Sequence, residues 1–306
     1  MEQILDKVTK TLKLNSDPEY YIAFSDVHGN SHSIDLIKRA QFDYPSAQLV
    51  GLGDYIDGRR DSKMVLDFLI RMKSKGAIIL RGNHEQMLLD YTRGFDLEHL
   101  WFFNGGKTTL RSLFGPKNLS FKAGKRLLLE SPYVDFLMSL PIMLETPNYL
   151  FLHAGVKPVT NFDNLSLYHK DNGQTDLENY NEFRLWTRED YFFTRKDWSI
   201  FFAHNKTGKT IVTGHTPTAL ISGHFEDKRV INKAPFTKCV VKPLKYDGED
   251  ARILIDNGNH SRYPTHDGNI VVLDGKGNII KVYDSKHTLG ISWQGYAQEN
   301  KAYLAH

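Results

Sequence analysis

What most limits the fold of this 306-residue chain is a repeated unit: a short apolar run that stops at a polar, glycine-bearing motif. Tyr20–Phe24 runs into Ser-Asp-Val-His-Gly-Asn (25–30), and Leu49–Leu52 into Gly-Asp-Tyr-Ile-Asp-Gly (53–58). Ile78–Leu80 meets Arg-Gly-Asn-His-Glu (81–85), Leu150–Leu152 meets His-Ala-Gly (153–155), and Ile211–Thr213 meets Gly-His-Thr-Pro (214–217). Brief apolar runs bounded by glycine or polar residues read as buried strands. The stretches between the first three, Ser31–Tyr44 and Ser62–Lys75, read as helices; in the second, Met64, Val65, Phe68, Leu69 and Met72 recur at three- and four-residue spacing. Strand–helix–strand alternation predicts an α/β fold with a largely parallel sheet and helices on its faces. In such sheets the ligand crevice lies beyond the carboxyl ends of the strands, where these motifs fall. Residues distant in sequence are therefore expected to converge.

The converging residues are of metal-ligating type. Asp26, His28, Asp54, Asn83, His153 and His215 offer carboxylate, imidazole and amide donors suited to two adjacent divalent cations. A phosphate ester calls for such a pair because its negative oxygens repel a nucleophile. Two cations neutralise that charge and turn bound water into hydroxide near neutral pH. Any one of these motifs alone is ordinary turn chemistry, and a lone histidine at a strand end is usually solvated or capped. Five in order at successive strand ends are not explained that way. Two other signals fail: Gly208-Lys209-Thr210 and Gly106-Lys107-Thr108 look like the end of a P-loop, but Ala203 and Trp101 stand where its first glycine belongs. His204 lies near His215 in sequence, but no motif supports it as a ligand.

The ordered set Asp-x-His, Gly-Asp-x-x-Asp, Gly-Asn-His-Glu, His-Ala-Gly and Gly-His-Thr-Pro resembles that of the calcineurin-like metallophosphoesterases. More narrowly, it is similar to the phosphoprotein phosphatase family and its bacterial and phage branch, which includes symmetrical diadenosine tetraphosphatases. The likeness runs from about Tyr20 to Leu273. It implies a β-sandwich of two mixed sheets flanked by helices, in four layers α-β-β-α. The hairpin signal of Ile270–Leu273 and Ile279–Tyr283 around Asp-Gly-Lys-Gly-Asn (274–278) suits a second sheet or its edge. The resemblance further implies that Asp26 and His28 hold one metal, that Asp54 bridges both, and that Asn83, His153 and His215 complete the second. Manganese, iron or zinc would suit this cysteine-free donor set. His84 becomes the general acid, with Asp57 as its orienting partner, opposite a metal-bridging hydroxide.

Arginines are expected to clamp the phosphate, since a planar guanidinium binds two of its oxygens at once. Arg81 precedes the Gly-Asn-His-Glu core, and Arg188 in Leu-Trp-Thr-Arg (185–188) resembles a second family arginine. Here the chain departs from the pattern: Gly58 stands where the family carries arginine, followed by Arg59 and Arg60. Either one of that pair swings in, or the pair is a solvated surface feature and the phosphate pocket is built differently. Asn104, in Trp-Phe-Phe-Asn-Gly-Gly-Lys-Thr (101–108), joins the substrate-binding set through a stretch similar to one in the bacterial branch, its glycines able to bring backbone amides to an anion. The substrate expected first is phosphoserine or phosphothreonine on proteins; the alternative is a dinucleoside polyphosphate, diadenosine tetraphosphate cut symmetrically into two ADP. Ile-Asp-Asn-Gly (255–258) keeps both open.

Composition sets outer limits. Lysine and arginine total 39 against 36 acids, a net +3, too balanced and too dispersed to argue for a nucleic-acid polymer. Cys239 is the only cysteine, which suits a reducing cytoplasm. No apolar run approaches the roughly 20 residues that span a bilayer, so no membrane partner is expected. One domain is expected over 1–306, with a short amphipathic N-terminal helix over 1–14 carried by Ile4, Leu5, Val8 and Leu12. Polar insertions at 157–182 and 223–250 are expected to shape specificity.

Overall fold

The computed structural model describes residues 3–6, 10–95, 98–116, 119–156, 177–188, 191, 193–196, 199–202, 205, 207–221, 240–244, 250–260, 268–284 and 288–289. Most of both polar insertions lies outside the described residues, as do Tyr168, His169, His204 and Cys239.

The chain opens on an antiparallel hairpin of β1 (Gln3–Asp6) and β2 (Thr11–Leu14), not on the helix that the spacing of Ile4, Leu5, Val8 and Leu12 predicts. The reason lies far along the sequence. β2 runs parallel to β6 (Met143–Glu145), satisfying backbone groups on that strand's edge. Leu14 is buried there and Leu12 packs on the inter-sheet core. The pairing is worth more to this segment than its helical spacing.

Two βαβ units follow: β3 (Tyr20–Phe24), α1 (His32–Asp43), β4 (Gln48–Gly51), α2 (Ser62–Ser74) and β5 (Ile78–Ile79), with the three strands parallel. Five helices come next: α3 (Asn83–Arg93), α4 (Glu98–Phe103), α5 (Gly106–Phe114), α6 (Phe121–Leu129) and α7 (Pro132–Met138). After β6 come β7 (Tyr149–Leu152), α8 (Leu177–Trp186), a separate hairpin of β8 (Phe193–Lys196) and β9 (Ser199–Phe202), and β10 (Thr210–Thr213). The chain then adds β11 (Lys242–Leu244), β12 (Arg252–Leu254), β13 (Ile270–Asp274), β14 (Ile279–Tyr283) and β15 (Thr288–Leu289).

These strands make two mixed sheets, ordered β1-β2-β6-β7-β10-β12-β11 and β15-β14-β13-β3-β4-β5. They stack face to face between helices, the four-layer arrangement. Side-chain alternation along the strands explains the layering. On β3, Tyr21 and Ala23 face the opposite sheet, while Ile22 and Phe24 join Ile34, Ile37, Val65 and Leu66 of α1 and α2. On β7, Tyr149 and Phe151 meet Tyr21 with ring centroids 5.3 and 5.0 Å away, and Leu150 and Leu152 turn outward. In both sheets the parallel strands end on the same side of the sandwich, so β3, β4, β5, β7 and β10 all deliver their motifs to one rim.

Candidate metal centre

The loops beyond the strand ends stay locked together. Asp26 N donates to Gly53 O at 3.0 Å, His28 N to Asp54 O at 3.0 Å and Gly29 N to Tyr55 O at 2.8 Å, which carries the β3–β4 pairing past the strands. In the other sheet, Gly214 N donates to His153 O at 2.8 Å, extending the β7–β10 pairing in the same way. Glu85, fully buried, accepts from Asp54 N, Tyr55 N and Gly82 N at 2.8, 2.8 and 2.9 Å, pinning the β4 loop to the start of α3. Asp26, His28, Asp54, Asp57 and His215 all hold a left-handed backbone, with φ of 53°, 48°, 58°, 68° and 65°. Such conformations cost of order 1–3 kcal/mol each for residues with a Cβ and persist where the surroundings over-determine them. Here they turn each side chain inward just as its strand ends.

What meets is a set of lone pairs. His28 Nδ1 lies 3.1 Å from Ile56 O, His153 Nδ1 lies 3.1 Å from Leu52 O, and His215 Nε2 lies 3.2 Å from Trp186 O. Each carbonyl can only accept, so it places the proton on that nitrogen and leaves the other as a bare acceptor. Those acceptors point at one another. His153 Nε2 is 3.1 Å from His215 Nδ1 and 3.3 Å from Asp54 Oδ2. His28 Nε2 is 3.7 Å from Asp54 Oδ2 and 3.9 Å from Asp26 Oδ1. Asn83 brings its amide to the same point, 2.8 Å from His153 Nε2 and 3.0 Å from His215 Nδ1. Burial, with His84 nearby, holds His28 well below its ordinary pKa, and burial with His153 and Arg188 does the same for His215, so both favour the neutral, ligating form. Burial, helped by Asp256 and Asp54, pushes Asp26 up. A buried cluster that is rich in acceptors and short of positive charge fits divalent cations. Among the described residues three groups satisfy the distances: Asp26–His28–Asp54 and Asp54–His153–His215, which share Asp54, and His28–His84–His260 beside them.

His84 is wired differently. Its Nδ1 lies 2.8 Å from Asp57 Oδ2, a carboxylate in place of a carbonyl, while its Nε2 faces the cluster 3.9 Å from Asp54 Oδ2. Burial pulls its pKa down, but Asp54 and the hydrogen-bonded Asp57 outweigh that and raise it to about 9. Asp57 is itself fully enclosed, accepting from Trp101 Nε1 at 3.0 Å and Thr109 Oγ1 at 2.6 Å.

A sequence profile of the calcineurin-like phosphoesterases matches residues 21–250. The chain belongs to that family. No curated protein matches this phosphoesterase in sequence. Similar solved structures include a candidate diadenosine tetraphosphatase, at 17% identity over 93% of this chain and 99% of that one, TM-score 0.48. The cold-active protein-tyrosine phosphatase of a psychrophilic Shewanella species is 16% identical over 93% and 84%, TM-score 0.47. A protein serine/threonine phosphatase from Saccharomyces cerevisiae is 15% identical over 81% and 85%, TM-score 0.42.

The arginines of the phosphoesterase depart most from the sequence reading. Arg81 is buried and turned away from the cluster: Nη2 donates to Met138 O and Leu140 O at 2.8 and 3.3 Å, and Nη1 to Gln86 Oε1 at 3.0 Å. It satisfies carbonyls at the end of α7 with the nitrogens that were expected to clamp a phosphate. The Arg60 side chain is 93% exposed beside Asp61, a solvated surface residue. Arg59 is half-buried, with Nε and Nη2 enclosed and without hydrogen-bond partners among the described residues. Of these four arginines, only Arg188 reaches the candidate metal-binding cluster, its Nη1 donating to His215 O at 2.6 Å. The Asn104 side-chain amide donates back to Leu100 O of α4 at 2.8 Å, and its backbone carbonyl lies 3.3 Å from His260 Nε2. Sequence reasoning missed Glu85, Trp101, Thr109, Asp256 and His260. Glu85, Trp101 and Asp256 stood inside quoted motifs without being given a role; Thr109 and His260 carried no local signal.

Proposed function

We propose that this phosphoesterase hydrolyses phosphate monoesters with two divalent cations, acting first on phosphoserine and phosphothreonine in proteins and less selectively on small phosphomonoesters. The observation that carries this is the division among the buried imidazoles: His28, His153 and His215 present bare nitrogens inward, whereas His84 is hydrogen-bonded to a carboxylate and holds a proton. Asp26, His28 and Asp54 would hold one cation, and Asp54, Asn83, His153 and His215 the other. When bound, manganese, iron or zinc would draw charge from the phosphoryl oxygens and lower the pKa of a coordinated water.

The chain's own contribution is to the leaving group and the orientation. A serine or threonine alkoxide is a poor leaving group and needs a proton as the P–O bond breaks. His84 supplies it from Nε2, while Asp57 holds the ring at Nδ1 and stabilises its protonated form. Arg188, anchored on His215 O through Nη1, has further N–H groups with which to meet a phosphoryl oxygen. A dinucleoside tetraphosphate expels ADP, which departs without a proton, so a heavily supported acid favours the monoester reading.

The test compares manganese-loaded protein on a phosphothreonine peptide and on diadenosine tetraphosphate by kcat/KM. Preference for the peptide is expected. Preference for the dinucleotide, with two ADP as products, would overturn the protein-phosphatase reading and make this a nucleotide hydrolase.

A further inference from the structure

We propose that Trp101 and Thr109 are positioning residues for the general acid, and that the Asn-Gly-Gly turn between them serves to bring both onto Asp57. The inference rests on the general-acid reading of His84 above, which it deepens.

His84 hangs from one carboxylate oxygen. Its Nδ1 lies 2.8 Å from Asp57 Oδ2, so a swing of that carboxylate also swings the ring and the proton on Nε2. Asp57 has no regular element to hold it: it sits in a loop at φ 68°, followed by Gly58. A functional side chain has to be held to within about 0.5 Å by the packing and hydrogen bonds of its supports. Those supports come from α4 and α5. Trp101 Nε1 donates to the same Oδ2 at 3.0 Å, and Thr109 Oγ1 donates to Oδ1 at 2.6 Å. With a donor on each oxygen, the carboxylate is kept from turning about its Cβ–Cγ bond. The Thr109 proton is itself directed. Its hydroxyl accepts from Asp57 N at 3.0 Å, which leaves its own proton for Oδ1, and Ser62 Oγ stands 3.3 Å away on the same hydroxyl.

Both supports reach Asp57 because glycines join them. Gly105 takes φ 107°, and a Cβ there would lie 2.8 Å from Gly58 N and 3.2 Å from Asp57 Cβ. Gly106 opens α5, where a Cβ would lie 2.5 Å from Trp101 Cδ2. The first glycine lets the turn close on the Asp57 loop, and the second lets the indole lie against the start of α5. Trp101 is wholly buried and also packs on Tyr91, with ring centroids 4.8 Å apart. An indole in such a place needs a partner for its N–H. Here the partner is the carboxylate that orients the acid, and a phenylalanine would fill the same space without gripping it. The stretch thus acts through Asp57 and not by offering amides to an anion.

The experiment uses full-length, metal-loaded protein and the variants Trp101→Phe, Thr109→Val and Thr109→Ser. The first two are each expected to lower kcat on a phosphothreonine peptide about tenfold, the lower end of what an orienting partner of a functional histidine is worth. KM and metal content should stay near wild type, p-nitrophenyl phosphate should lose far less, and Thr109→Ser should recover the peptide rate. In zinc-loaded protein, the His84 Nδ1 proton is identified by NMR through its absence from His84→Ala. It should exchange with water faster in Trp101→Phe and Thr109→Val. Unchanged exchange in both variants would overturn the proposal, and so would equal losses on the two substrates, which mark general damage to the fold. If His84→Ala slows the peptide selectively and Trp101→Phe does not, this proposal alone falls. If wild-type protein hydrolyses neither ester but Trp101→Phe still frees the His84 proton, the functional reading falls and the positioning role stands.

Discussion

At the scale of single residues, the partner of each imidazole decides what it can do. His28, His153 and His215 face carbonyls and are left with lone pairs; His84 faces Asp57 and is left with a proton. Replacing His84 with alanine should spare metal content and slow a phosphothreonine peptide by about 10²–10⁴-fold, the usual worth of a positioned acid. An activated aryl phosphate, whose leaving group needs no proton, should lose far less. Equal losses on the two substrates would show that His84 does something other than protonate. The pH profile tests Asp57. His84 acts only when protonated, so kcat/KM falls as pH rises through its pKa, which Asp54 and Asp57 raise against the pull of burial. Bound cations offset Asp54, which leaves Asp57 as the main support. In Asp57→Asn that support loses its charge, the His84 pKa drops, and the alkaline limb should move to lower pH. A limb that stays in place would separate it from the His84–Asp57 pair.

At the scale of elements, the site depends on how closely the β4 and β5 loops approach. Gly82 has φ −99° and ψ 178°, an extended conformation any residue adopts, so only contact demands glycine there. A Cβ at Gly82 would fall 2.2 Å from Asp54 Oδ1 and 2.4 Å from Asp54 N. Gly82→Ala must therefore displace the shared carboxylate or the start of α3. Activity should drop by about two orders of magnitude, as for a misplacement near 1 Å. Metal stoichiometry should fall below two while the circular dichroism keeps its shape; full occupancy would show that the loops can part freely. The same closeness explains what could be read from the chain. Asp26, His28, Asp54, Asn83, His153 and His215 were legible because each sits just past an apolar run, and the parallel sheet carries strand ends to one rim. α1 and α2 were legible through their periodicity. The N-terminal hairpin was not, because β6, the strand that recruits it, lies over a hundred residues away. Nor was the turn of Arg81 toward α7, since in an irregular loop no periodicity tells which way a side chain points. His260 escaped for a related reason: the rings it packs on, His28 and His84, belong to other segments, and proximity of that kind leaves no local pattern.

At the scale of the whole molecule, the ligands are divided between the two sheets. Asp26, His28, Asp54 and Asn83 follow β3, β4 and β5, whereas His153 and His215 follow β7 and β10 in the other sheet. A cation among Asp54, Asn83, His153 and His215 would therefore cross-link the sandwich at its rim, while one held by Asp26, His28 and Asp54 would tie together loops of a single sheet. Elsewhere the sheets are held by apolar contacts such as Tyr21 on Tyr149 and Phe151, which a cation does not alter. Metal should then act as a folding ligand as well as a catalytic one. At a hundredfold excess over Kd, one site adds about 2.7 kcal/mol. Where 1 kcal/mol moves Tm by roughly 2–4 °C, as in domains of 150–250 residues, manganese should raise the midpoint by roughly 5–10 °C per site, reversed by chelator. His215→Ala removes only the cross-linking site's outermost imidazole. It should abolish the larger part of the shift if joining the sheets is what stabilises, since the remaining site acts within one sheet. A shift of wild-type size in that variant would mean that the sandwich is held by its core alone and that the cations serve only the chemistry.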